Sequence, residues 1–151
     1  MKVYWNQDFD TGIEVIDEQH KRILDYINDI DEVCFTHDRD KVKEILDSII
    51  DYTQSHFAFE ESLQEEAGYR FSVPHKKVHE LFIRKIEGYR ADFLSGKEIE
   101  EDLYQVLTHW LINHIKHDDA DYVSAVKENM NQIIREKEKT KGKGWFARFF
   151  S

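Results

Sequence analysis

The sequence predicts an all-α protein, an up-down-up-down four-helix bundle with an N-terminal arm and an extra C-terminal helix. Three observations carry that reading. Pro occurs once and Gly six times in 151 residues, too few turn-formers for a β-sandwich or barrel. Apolar residues recur every three or four positions through long segments, the period of a helix with one buried face. The breaks between these segments are only a few residues long, so consecutive helices must run antiparallel. The length suits one core, with residues 1–134 forming the bundle and its terminal helix and 135–151 a basic, aromatic tail.

Residues 1–16 hold Tyr4, Trp5, Phe9 and Ile13 around an Asp10-Thr11-Gly12 turn signal without a helical period, as an arm laid on the domain would. From about Asp17, a possible cap, to Phe35, the stripe Ile16, Ile23, Leu24, Ile27, Ile30 and Cys34 predicts the first helix, and His20 lies on it. A polar break at Thr36 to Asp40 precedes the second. Its face runs Val42, Ile45, Leu46, Ile49, Thr53, Phe57, Leu63 and Ala67 to a stop at Gly68, and includes His56 and Glu60. The third opens at Ser72-Val73-Pro74, where Pro suits a first turn, and continues through Val78, Phe82, Ile86, Tyr89 and Phe93, with His75 and His79 on or beside the stripe. Ser95-Gly96 closes it. The fourth passes through Ile99, Leu103, Val106, Leu107, Trp110 and Leu111 toward His114, and Tyr122, Val123, Val126, Met130, Ile133 and Ile134 predict the terminal helix.

Charge and cysteine content exclude several functions. A net charge of −10 repels a phosphate backbone, so the body of the protein does not suit nucleic acid. The tail is the exception at +4, leaving −14 elsewhere. A lone Cys34 excludes an internal disulfide and any cluster built on several thiolates. No apolar run approaches a membrane span or a leader's core, and the expected setting is a reducing cytoplasm. In the tail, Lys141, Lys143 and Arg148 alternate with Trp145, Phe146, Phe149 and Phe150, a segment suited to weak docking on a membrane surface or a protein partner.

Eight histidines are the unusual feature of this composition. Taken singly, a His on an apolar face is an ordinary core residue with one hydrogen bond. Here His20, His56, His75, His79 and His114 come from all four bundle helices, each on the buried side, and Glu60 stands one turn after His56. An unpaired buried polar group costs about 1–3 kcal/mol, so five imidazoles and a carboxylate cannot share a dry core cheaply. A bound cation removes the difficulty. In His75-Lys-Lys-Val-His79 and His56-Phe-Ala-Phe-Glu60 the i, i+4 spacing sets two donors on one face about a turn apart, as one ion requires. His37, His109 and His117 read as peripheral surface histidines. No Glu-x-x-His occurs, which argues against ferritin-like or oxidase-type di-iron bundles.

With these motifs in hand, the chain resembles the hemerythrin family in its bacterial form. The likeness spans about residues 3–120: GIEVIDEQH ending at His20, HFAFEE from His56, Gly68-Tyr69, HKKVH from His75, and HWLINHIKHDD from His109. Arg70, and the Leu63-Gln64 pair where a Met is frequent, depart from the pattern without touching a matched ligand. The resemblance implies a pair of non-haem irons joined by an oxo or hydroxo bridge, holding dioxygen as a reversible ligand. By the same likeness His75, His79 and His114 look like the imidazoles of one iron, His20 and His56 those of the other, and Glu60 and Asp119 the bridging carboxylates. With both carboxylates and one oxygen bridging, the two-His iron keeps one open position, where a small ligand must bind. The implied role is an oxygen carrier, store or supplier, not an enzyme. The same centre in a sensor read by a partner, or in an enzyme acting on peroxide or nitric oxide, is the alternative.

Periodicity and resemblance disagree at one point. A straight helix sets Asp118, at i+4, on the face of His114 and turns Asp119 about 140° away. The family pattern selects Asp119, which requires the helix to end or bulge just after His114, as π-type bulges do at functional sites. Leu111 lies on nearly the same face as His114, and the resemblance makes it the pocket leucine beside bound oxygen, whereas periodicity alone makes it ordinary core.

Overall fold

The computed structural model describes residues 2–141. Its helices are α1 (Glu14–Thr36), α2 (Arg39–Glu66), α3 (Ser72–Leu94), α4 (Glu100–Asn113) and α5 (Ala120–Lys141), with a short 3-10 turn at Gln7–Phe9 and a π-helical segment at His114–Asp119 joining α4 to α5. The four-helix bundle and extra C-terminal helix expected from the periodicity are present. None of the helices is long and apolar enough to cross a membrane.

The helix ends follow local chemistry. Asp38 caps α2, its carboxylate accepting from the backbone N–H groups of Asp40 and Lys41. At the C-terminus of α2, Gly68 takes a positive φ of 68°, and the Tyr69 N–H returns to the Gln64 carbonyl, satisfying one of the last-turn acceptors. Gly96, at φ 100°, ends α3 in the same way, with Lys97 N–H returning to Asp92.

Two readings are corrected here. Asp17 does not cap α1, which begins three residues earlier. Its buried carboxylate instead accepts from Thr11 N–H, Thr11 Oγ1–H and Gly12 N–H, holding the arm's turn against the first turn of the helix. Met130 and Ile134 do not pack; they are 41% and 52% exposed, because α5 leaves the bundle after Val126. Helix α5 runs unbroken past residue 134 to Lys141. The basic and aromatic residues Lys143, Trp145, Phe146, Arg148, Phe149 and Phe150 lie outside the described residues.

Two cores result. The larger gathers Ile23, Ile27, Leu46, Ile49, Phe57, Phe82, Ile86, Leu103, Leu107 and Leu111 along the bundle axis. The smaller sets Ile13 and Ile16 against Tyr122 and Val126, fastening α5 to the start of α1. The arm is held by Phe9, buried in the larger core, and by a reciprocal pair in which Val3 N–H donates to Asn28 Oδ1 and Asn28 Nδ2 to the Val3 carbonyl. Between the two cores lies a layer of buried polar side chains.

Candidate metal centre

That layer contains the seven polar residues singled out above, and none is more than 6% exposed. Three helices and the π segment that continues α4 contribute: His20 from α1, His56 and Glu60 from α2, His75 and His79 from α3, His114 and Asp119 from the π segment. They fall into two groups of potential metal donors, Glu60, His75, His79, His114 and Asp119 in one and His20, His56 and Glu60 in the other, with donor atoms in each group within 4.8 Å of one another. Glu60 belongs to both. Its Oε1 lies 2.9 Å from His56 Nε2 and 3.5 Å from His79 Nε2. Asp119 spans the groups from the other side, with Oδ1 3.1 Å from His75 Nε2 and 2.9 Å from His114 Nε2, and Oδ2 3.1 Å from His20 Nε2.

The π segment brings Asp119, not Asp118, in among the imidazoles. A wider turn returns residue i+5 to the face of His114, so Asp119 is fully buried among the imidazoles. Asp118 sits behind the ring, its Oδ2 accepting from His114 Nδ1 at 3.0 Å. Both acids serve the same histidine, one on each nitrogen.

Three of the imidazoles are oriented this way. His56 Nδ1 meets Gln19 Oε1 at 2.6 Å and His79 Nδ1 meets Glu61 Oε1 at 3.0 Å, as His114 Nδ1 meets Asp118. Each outer oxygen accepts from Nδ1–H and holds the ring with Nε2 turned inward. Glu60 is fixed likewise, Tyr122 O–H donating to its Oε2 at 2.6 Å. Flat rings close the side walls: Phe57 stacks on His79 at 3.9 Å, and Trp110 stacks on His114 at 4.4 Å and on Phe82 at 3.8 Å. Gln19, Glu61, Asp118 and Tyr122 were not recognised as supports from the sequence, since three of the four serve residues on other helices.

The electrostatics show what the donors lack. Burial, reinforced by the neighbouring His114 and His75, pushes the His79 pKa down to about 2. Burial acts the same way on His114, but the Asp119 charge and the Asp118 hydrogen bond outweigh it and raise that ring to about 10. The two Nε2 atoms are 3.1 Å apart. Asp119 is held well below the usual carboxylate range against its own burial, chiefly by the charge of His114. Tyr122 is pushed far up by burial and then by Glu60 and Asp119, so its phenol stays protonated as a donor.

The inward atoms are otherwise unsatisfied. His20 Nε2, His56 Nε2, His75 Nε2, Glu60 Oε1 and both Asp119 oxygens have no hydrogen-bond partner, although opposed nitrogens and oxygens approach within about 3 Å. Buried polar atoms in native cores are normally paired, and this set converges without pairing, which fits cations better than protons. Leu111 is buried in the larger core, and its carbonyl accepts from the His114 N–H one turn on. His109 and His117 are exposed and outside both donor groups.

Comparison with known proteins agrees. Residues 11–126 match the family model of the hemerythrin HHE cation binding domain. A bacteriohemerythrin of Pseudomonas aeruginosa is 46% identical over 144 residues, covering 95% of this chain and 92% of that protein, and one of Stenotrophomonas maltophilia is 44% identical over the same length. A crystal structure of wild-type hemerythrin superposes with a TM-score of 0.79 at 29% identity, covering 83% of this chain and 98% of that one. The match begins at the turn that Asp17 holds and ends at the last buried residue of α5, so it takes in every polar side chain of the buried layer: the chain belongs to the hemerythrin family, among the bacteriohemerythrins.

Proposed function

We propose that this chain binds dioxygen reversibly at two iron ions and serves as an oxygen carrier, store or supplier in the cytoplasm. The observation that supports it most is the unequal division of the buried donors, three imidazoles on one side of Glu60 and Asp119 and two on the other. In this reading His75, His79 and His114 would hold one iron and His20 and His56 the other, with Glu60 and Asp119 serving both. A side with fewer protein donors is the side on which a small ligand is accommodated. A ferrous pair, when bound, supplies the electrons with which dioxygen is held.

The chain's own residues do the rest. Gln19, Glu61 and Asp118 keep three rings in one tautomer, so that donors need not reorganise between liganded and unliganded forms. Tyr122 keeps Glu60 from swinging outward. Phe57, Trp110 and Leu111 exclude water, which slows loss of the ferrous state.

The test separates binding from turnover. Iron-loaded, reduced protein is given a known amount of oxygen in a closed electrode cell, and the oxygen is then recovered by evacuation. Stoichiometric recovery over repeated cycles supports the proposal. Steady consumption of oxygen, or multiple turnovers of peroxide or nitric oxide, would replace it with a catalytic role.

A further inference from the structure

The far end of the bundle carries a second group of metal-type donors. His37 follows the last turn of α1, Glu98 precedes α4, and Glu100 is the first residue of α4; one donor atom from each lies within 4.8 Å of the others. Counting 1.5 Å per helical residue from His20 to Thr36 or from His114 back to Glu100, this end lies some 20–25 Å from the buried centre. His37 and Glu98 are exposed, but Glu100 is only 2% exposed and its Oε1 has no hydrogen-bond partner.

An unpaired buried carboxylate oxygen at a helix start requires a counter-charge or a donor. Two cations among the described residues at this end are turned elsewhere. Arg39 donates to the Phe93 and Lys97 carbonyls and stacks on Phe93, and Lys97 Nζ lies 3.5 Å from Asp92. Acidic charge is dense at this end: burial and then the charges of Asp31, Glu101 and Glu100 push the Cys34 thiol pKa up.

We propose that His37, Glu98 and Glu100 form a second metal site, taking one divalent cation of the zinc class. One imidazole nitrogen and two carboxylate oxygens are a donor set that zinc accepts, whereas calcium and magnesium prefer oxygen alone. Donors around a tetrahedral ion at 2.0–2.2 Å stand about 3.4 Å apart. The donors already lie within 4.8 Å of one another, and the two exposed side chains would close the remaining gap on buried Glu100 as the anchor. The ion would clamp the end of α1 to the start of α4. His37 holds the only positive φ among the described non-glycine residues, 51°, so its ring leaves α1 from a defined left-handed position.

The test uses the iron-loaded full chain without an affinity tag. Zinc is titrated by calorimetry, and zinc and iron are both counted after dialysis. The expected result is one zinc per chain with iron unchanged, and a zinc-dependent rise in melting temperature. Loss of even an outer support costs about 10–100-fold in metal affinity, so His37→Gly and Glu100→Gln should each weaken zinc at least about tenfold and abolish the rise. His37→Gly suits the left-handed backbone and keeps the test open if Glu100→Gln does not fold. Zinc taken up only in exchange for iron, or bound by the His37→Gly variant as tightly as by the parent, overturns the proposal.

Discussion

The Tyr122 hydroxyl donates to Glu60 Oε2 at 2.6 Å, so a residue of the terminal helix fixes the carboxylate shared by the two donor groups. Helix α5 is thereby part of the centre rather than an appendage. Tyr122→Phe leaves Glu60 Oε2 buried without its donor, an expected loss of about 1–3 kcal/mol in folding stability. Freed to rotate, Glu60 should also hold metal about 10–100-fold less tightly. Urea unfolding and a chelator challenge measure the two effects; unchanged resistance to chelation would make Tyr122 a packing residue only.

Asp118 and Asp119 separate the two nitrogens of one ring. Asp119→Ala should abolish iron binding, since it removes the oxygens facing His20, His75 and His114. Asp118→Ala should retain two irons but lose them faster to a chelator, because only the outer hydrogen bond of His114 is gone. Iron content of the two purified variants checks this, and the reverse order would reassign the ligand.

In the proposed reading Leu111 belongs to the dry wall next to His114, which Leu111→Ala would open. The oxygenated form should decay faster to the ferric state while iron content stays at the parent level. The truncation also costs about 2–5 kcal/mol of core stability, so the folded fraction is measured alongside. A folded, iron-loaded variant that decays no faster than the parent assigns the wall to Ile23, Leu24 or Phe57.

In the iron-free protein, His79 and His114 give stability a maximum in pH. Below the ordinary histidine value of 6.5 the unfolded chain takes up a proton that folded His79, with its pKa near 2, refuses, so that contribution is lost as pH falls. Above 6.5 folded His114, with its pKa near 10, keeps a proton that the unfolded chain releases, so that contribution is lost as pH rises. Melting temperature should therefore peak near neutrality in chelator and lose its alkaline decline when iron is loaded. A steady rise through pH 9, on the order of two units above the ordinary histidine value, contradicts the assignment of His114.

Much of this was legible in the sequence because helix periodicity and metal spacing speak the same language: the period that buries Ile23 also buries His20, and HxxxE and HxxxH place their donors a turn apart. What was not legible came from contacts between helices or from departures from the period. Gln19 adjoins His20 in sequence yet orients His56, and Glu61 adjoins Glu60 yet orients His79. Regular periodicity pointed to Asp118, and only a local π turn, required by the family pattern, brings Asp119 inward. Asp17 looked like a helix cap because Ser, Thr, Asp and Asn favour that position, but its three acceptor contacts are with the arm. His37 looked like a surface histidine, and nothing local in the sequence shows that Glu98 and Glu100, some sixty residues away, come beside it.

A pair of irons in unequal, pre-oriented imidazole sets should hold oxygen without consuming it. The check is iron analysis combined with the absorption spectrum of one reduced sample, recorded under nitrogen, then air, then nitrogen again. Two irons per chain are expected, with a visible band that appears in air and disappears on return to nitrogen and no ferric residue after the first cycle. One metal per chain, or a spectrum that changes once and does not return, would contradict it.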